Sequence, residues 1–217
     1  DWSNTGTIAA IDGSLSLRGG WTNVNGSITL DNTAFRLDGS HPIGDLGSIT
    51  RTDGSFTLGG ELDLEGGAYT IDETLGPWQL DRGTIRNGYL TLSDPEQLRF
   101  SSSASNRLYD NALQSDLRLV DDFANLAVNA GFSLEGNTLT LFNRGSSLYV
   151  DEDLTLTNGT IFSDPERSST FRRVYLRGGD TTLTVGPGAT LRGGRMDVRR
   201  SGGGSHFLTN QGLISAD

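Results

Sequence analysis

Asn4-Thr5-Gly6-Thr7-Ile8 returns as Asn25-Gly26-Ser27-Ile28, and the Gly-x-Ile half returns again as Gly47-Ser48-Ile49. The isoleucines follow one another at intervals of 20 and 21 residues. Gly83-Thr84-Ile85, Asn158-Gly159-Thr160-Ile161 and Asn210-Gln211-Gly212-Leu213-Ile214 carry the unit to the end of the chain. A repeat of this length is one supersecondary unit, too small to bury its own apolar face, so neighbouring units must stack.

Other echoes keep the same grain. Trp2-Ser3-Asn4 returns as Trp21-Thr22-Asn23, Leu-Arg-Gly-Gly occurs at 17–20, 176–179 and 191–194, and Ser-Asp-Pro-Glu at 93–96 and 163–166. Short alternating runs such as Leu15-Ser16-Leu17, Leu62-Asp63-Leu64 and Leu139-Thr140-Leu141 put Leu on one face of a strand and polar residues on the other. Gly, Asn and Asp between them tolerate positive φ and turn corners. The pattern predicts an all-β chain: a right-handed parallel β-helix of about 20 residues per coil, continuous over residues 1–217. Helical periodicity is nearly absent. Residues Ser105–Val120 fit neither period well and are expected to form a strand–loop excursion with a short helical turn.

Composition agrees. Only 34% of the 217 residues are apolar and 30 are Gly. A thin rod with narrow cores needs less apolar mass than a compact globule, and the clustering of the apolar residues into short runs argues against disorder. Cysteine is absent. All 17 basic residues are Arg, which excludes lysine-based isopeptide cross-links. Charge is uneven: residues 1–160 hold 9 Arg against 22 Asp and Glu, whereas residues 161–217 hold 8 against 5. The acidic body argues against nucleic acid as a partner. No apolar run reaches membrane-spanning length.

The runs Trp2–Ala10, Leu46–Leu64, Gly76–Leu92 and Leu154–Ile161 resemble the Gly/Thr/Asn-rich strand repeats of large bacterial surface proteins, among them autotransporter passenger regions and filamentous-haemagglutinin-like adhesins. The resemblance implies export, a secreted or cell-surface location, and roles in adhesion, biofilm or fibre building. It implies no catalytic residues. The Arg-rich C-terminal quarter and the less repetitive stretch from Pro95 to Gly131 depart from it. Ser3–Ala10 matches Thr209–Ala216 closely, so the chain is expected to end on the kind of coil with which it begins. Neither end reads as a polar cap. The expected partners are therefore another copy, head to tail, or neighbouring modules of the same chain, with surface glycans as further candidates.

Candidate chemistry is sparse. Asp121-Asp122 and Asp151-Glu152-Asp153 are the carboxylate clusters that a polysaccharide lyase or hydrolase would need, which is the alternative reading. As acidic turns they are more simply solvated corners. Asp94-Pro95-Glu96 and Asp164-Pro165-Glu166 read as turns. No cofactor is expected; Ca2+ at these acidic turns is the one candidate. His41 and His206 lie in Gly-rich segments and are expected on surface loops, without a positioned nucleophile. Gly186-Pro187-Gly188 and Gly202-Gly203-Gly204 lack the Lys-Ser/Thr of a phosphate loop. Arg192, Arg195, Arg199 and Arg200 are the densest basic group and the candidate contact surface, with pairing to Asp180 or Asp197 as the simpler reading. Trp2, Trp21, Trp78 and Tyr69 would form either a sugar-stacking strip or an internal stack along the axis.

Overall fold

The computed structural model describes residues 1–165 and 170–216. Strand accounts for 59% and helix for 2% of it, in parallel coils about 22 residues apart, making a β-solenoid of about 10 turns. At roughly 4.8 Å per coil the rod is about 48 Å long. Among the described residues the coils build a nine-stranded sheet from Ser40–Pro42 to Met196–Ser201, a six-stranded sheet on the N-terminal half, a six-stranded sheet on the C-terminal half, and the small Trp2–Ser3 and Trp21–Thr22 pair. Every ladder is parallel. The N-terminal sheet ends at Leu98–Phe100 and the C-terminal one begins at Leu117–Leu119, where the Arg118 amide donates to the Pro95 carbonyl at 3.0 Å.

The coil is not of constant length. Hydrogen-bonded partners on neighbouring coils lie 20 residues apart at Thr7–Ser27, 22 at Gly136–Asn158, 26 at Arg177–Asp151 and 29 at Asp153–Thr182. Extra residues are taken up at corners, so the strands stay in register while the spacing drifts. The first Gly-x-Ile units do stack: Ile8 pairs Ile28 and Ile28 pairs Ile49. Gly83-Thr84-Ile85 keeps the local pattern but joins the long sheet, over Leu62.

Buried and outward residues alternate along most strands, with exceptions such as Asn125–Val128, which buries three residues in a row. Ser27–Leu37 inserts Ile28, Leu30, Phe35 and Leu37 into the core and breaks phase once, at Asn32, whose φ is 43°. The corner is closed by the buried Thr33 hydroxyl, which donates to the Ala10 and Asp31 carbonyls, and by Asn32 donating to Asp12. The inward residues form columns along the axis. One runs Leu15, Phe35, Phe56, Trp78, Leu98. Phe56 and Trp78 are stacked with centroids 4.2 Å apart. In the long sheet the column runs His41, Leu62, Ile85, Leu108, Val128, Val150, Leu176, Arg200.

Three expectations are corrected. His41 is not on a surface loop: it is buried in the strand Ser40–Pro42, 4.8 Å from the Trp21 ring, with Nε2 3.1 Å from the Asp38 carbonyl. Ser105–Val120 is not an excursion; Arg107–Leu113 and Leu117–Leu119 are ordinary ladder strands whose Leu108, Leu113, Leu117 and Leu119 all point inward. The matching terminal segments share a turn, with Asn4 accepting from the Gly6 amide and Asn210 from the Gly212 amide. They occupy different corners, however. Asn4 follows the strand pair lying over His41, whereas Asn210 ends a strand of the C-terminal sheet.

Candidate functional site

The four arginines singled out in the sequence do not converge. Arg192 lies on the outer face of the C-terminal sheet, its guanidinium 4.9 Å from the Phe162 ring on the coil below. Arg195 sits at the following corner with φ 55°. Arg199 and Arg200 are neighbours on Met196–Ser201 and therefore point to opposite faces. Arg199 is outward, paired with Asp197, and that hydrogen bond raises its pKa. Arg200 takes the inward position above Leu176 yet is exposed, being on the last described coil of the long sheet. Adjacent residues alternate faces on a strand, and this separates a cluster that is dense only in sequence.

The carboxylate clusters are engaged in the scaffold. Asp121 pairs with Arg99 at 2.8 Å, and Asp153 accepts from the Thr182 amide. Asp151 holds Arg177 in a fork and accepts the Tyr109 hydroxyl. Asp94 accepts the Glu96 amide at 2.8 Å, the side-chain turn expected of Asp-Pro-Glu. In the second copy of that motif Glu166 lies outside the described residues. Among the described residues no group of three or more His, Cys, Asp or Glu is arranged to hold a metal. None of their helices is long and apolar enough to cross a membrane.

The tryptophans fall in two separate stacks and not in a sugar strip: Trp2 and Trp21 over His41, and Trp78 on Phe56. Trp21 and Trp78 are buried, and Trp2 stacks on Trp21 at 5.5 Å. Tyr69, tilted against Trp78 at 5.7 Å, has its pKa raised to about 12 by burial and by the Asp72 charge.

Sequence reading missed the asparagines that close the corners. Asn23, not Asn25, is the buried member of its repeat: it accepts from Asn4 and donates to the Leu46 carbonyl. Asn106, fully buried, accepts the Arg82 amide and donates to the Ser101 and Asn125 carbonyls. Their signal was present as Asn at coil-length intervals, but only the fold separates a buried Asn from its exposed neighbours.

The two ends leave inward positions open. In the first coil Trp2 is 42% exposed, with one ring face on Trp21. At the C-terminal end Met196, Val198 and Ile214 line a shallow apolar recess, with Leu208 also 42% exposed. Arg200, His206 and Asn210 take the other inward positions of that coil, above Leu176, Thr181 and Val185. The last described coil is thus partly polar, although its sequence does not read as a polar cap. Comparison with known proteins brings no relative to bear on these surfaces: no family model, no curated protein and no solved structure matches the chain.

Proposed function

We propose that the chain forms an extracellular structural or adhesive rod that assembles end to end or continues into neighbouring modules of a longer array. One observation carries this reading. The inward column that passes through His41 carries stacked Trp21 and Trp2 in its first coils and the inward-placed Arg200 in its last described coil. In a head-to-tail stack the Trp2 of one copy lies over the Arg200 of another. A guanidinium on an indole face contributes about 0.5–2 kcal/mol, more as water is excluded. Leu208 and Ile214 are covered in the same step, and the outermost strands, whose free amides and carbonyls otherwise invite unspecific pairing, continue the ladder. The basic C-terminal quarter meeting an acidic body favours the head-to-tail order over head-to-head. The cysteine-free composition and the likeness of the strand runs to bacterial surface repeats support an extracellular setting.

Light scattering and negative-stain microscopy over a range of protein and salt concentrations test the assembly. The expected result is rods in multiples of about 48 Å, which become single-length particles in Trp2→Ala and Arg200→Glu. Dispersed monomers at every concentration and salt overturn it.

A further inference from the structure

On the flank of the rod, independent of the ends, a groove crosses successive coils at one corner of the long sheet. Its floor includes Gly66 and Gly88, and its walls include Tyr89, Asp110, Ala112 and Glu135. The floor is kept low by backbone packing: a Cβ on Gly88 would lie 2.5 Å from the Gly67 carbonyl oxygen and from the Leu64 Cβ. Tyr89 stands in an outward column whose members are Ala68, Tyr89, Ala112 and Ser133. The coils on both sides of its ring therefore offer only methyl groups. Tyr89 is 49% exposed. Several outward aromatics have covered faces: Tyr149 and Tyr175 stack on one another at 4.9 Å, and Arg192 lies over Phe162, whereas Phe207 is, like Tyr89, largely exposed.

Polar groups are fixed on the coils that follow, Asp110 on the next one and Glu135 on the one after it. Asp110 Oδ1 accepts from Asn129 at 2.9 Å and Glu135 Oε1 accepts the Ser133 hydroxyl at 2.7 Å, so each carboxylate is held in place by one oxygen with the second left over. A free aromatic face flanked by oriented acceptors suits a ligand with an apolar C–H face and an equatorial rim of hydroxyl donors, which describes a pyranose ring. The open groove, running across coils, suits a chain of such rings. Two uncompensated carboxylates disfavour an anionic polymer.

We propose that this groove binds a neutral polysaccharide, with Tyr89 stacking on a sugar ring and Asp110 and Glu135 accepting its hydroxyls. Affinity electrophoresis of the whole chain through gels containing glucomannan, hydroxyethylcellulose, mixed-linkage β-glucan or dextran, with polygalacturonate as the anionic comparator, tests it. At least one neutral polymer should retard the protein and polygalacturonate should not. Tyr89→Ala should weaken retardation about tenfold, and Tyr89→Phe should retain it. Ala112→Leu, which fills the space beside the ring, should weaken it as Tyr89→Ala does. Tyr89 is an exposed side chain, so the Tyr89→Ala result is read on a protein whose unfolding midpoint is unchanged. Failure of every neutral polymer to retard the protein overturns the proposal. Equal retardation of wild type and Tyr89→Ala, or equal retardation by polygalacturonate, overturns it as well.

Discussion

Arg177 and Asp151 form a two-pronged ion pair between adjacent coils, with Nε 2.6 Å from Oδ1 and NH2 2.8 Å from Oδ2. The remaining prong, NH1, reaches the Ala104 carbonyl at 3.0 Å, 73 residues back in the chain. The guanidinium also lies 4.6 Å from the Tyr149 ring. The hydrogen bond from Arg177 to Asp151, helped by the Asp151 charge, raises the Arg177 pKa against the opposing effect of burial. Side-chain exposure is only 25% and 16%, so water screens the pair poorly.

Replacing one partner should therefore cost more than an exposed ion pair would. Arg177→Ala leaves Asp151 with only the Tyr109 hydroxyl and takes a donor from the Ala104 carbonyl, and is expected to lower stability by about 2–3 kcal/mol. Arg177→Lys keeps the charge but not the fork, and should recover less than half of the loss. Chemical denaturation of the two variants beside wild type measures this; equal midpoints for all three would show that the clamp adds nothing.

Asn106 satisfies three backbone groups at a corner with no exposed surface of its own. Asn106→Ala should strand the Arg82 amide and take a donor from the Ser101 and Asn125 carbonyls, at about 2–4 kcal/mol. Hydrogen exchange at Arg82 should accelerate with it. Asn125→Ala, removing a side chain that donates from a more exposed position to the Ser102 carbonyl, should cost less.

Leu-Arg-Gly-Gly has one structural meaning at all three sites: Leu is inward, and the first Gly takes positive φ, at 73°, 105° and 117° for Gly19, Gly178 and Gly193. Space differs among them. A Cβ on Gly193 would fall 2.0 Å from the Ser163 carbonyl oxygen, whereas one on Gly19 meets nothing within 4 Å. Gly193→Ala should therefore destabilise by about 2 kcal/mol or more, and Gly19→Ala by about 1 kcal/mol from backbone strain alone. A reversed order in thermal unfolding would contradict the packing at Gly193.

Tyr69 should deprotonate late. Burial first, then the Asp72 charge, holds its hydroxyl protonated up to about pH 12, whereas an unfolded chain loses that proton near 10. Above pH 10 the unfolded state binds fewer protons than the folded one, so stability attributable to Tyr69 is intact below pH 10 and falls as pH rises towards 12. Absorbance at 295 nm should show a late tyrosinate component that Tyr69→Phe removes. The same substitution should flatten the alkaline loss of stability.

Legibility varied from element to element. Ile8, Ile28 and Ile49 announce their stacking because adjacent N-terminal coils differ little in length. From Pro95 to Gly131 the same architecture is present, but corners of changing length put Leu108, Leu113 and Leu117 out of phase with either simple period. The arginine group was legible as composition and misleading as a surface, since residues adjacent in a strand face opposite ways.

The sequence by itself determined the architecture: alternation of apolar and polar residues, turn-formers at coil-length intervals, and an acidic, cysteine-free, lysine-free chain. Those properties are local, and a stacked ladder repeats local choices. Tertiary structure alone decided which residues share a column. It put His41 inside beneath Trp21, Arg200 at an open inward position, and Ala68 and Ala112 on either side of Tyr89. Each depends on the number of residues absorbed at every corner between one coil and the next, a sum over distant turns that no single motif encodes.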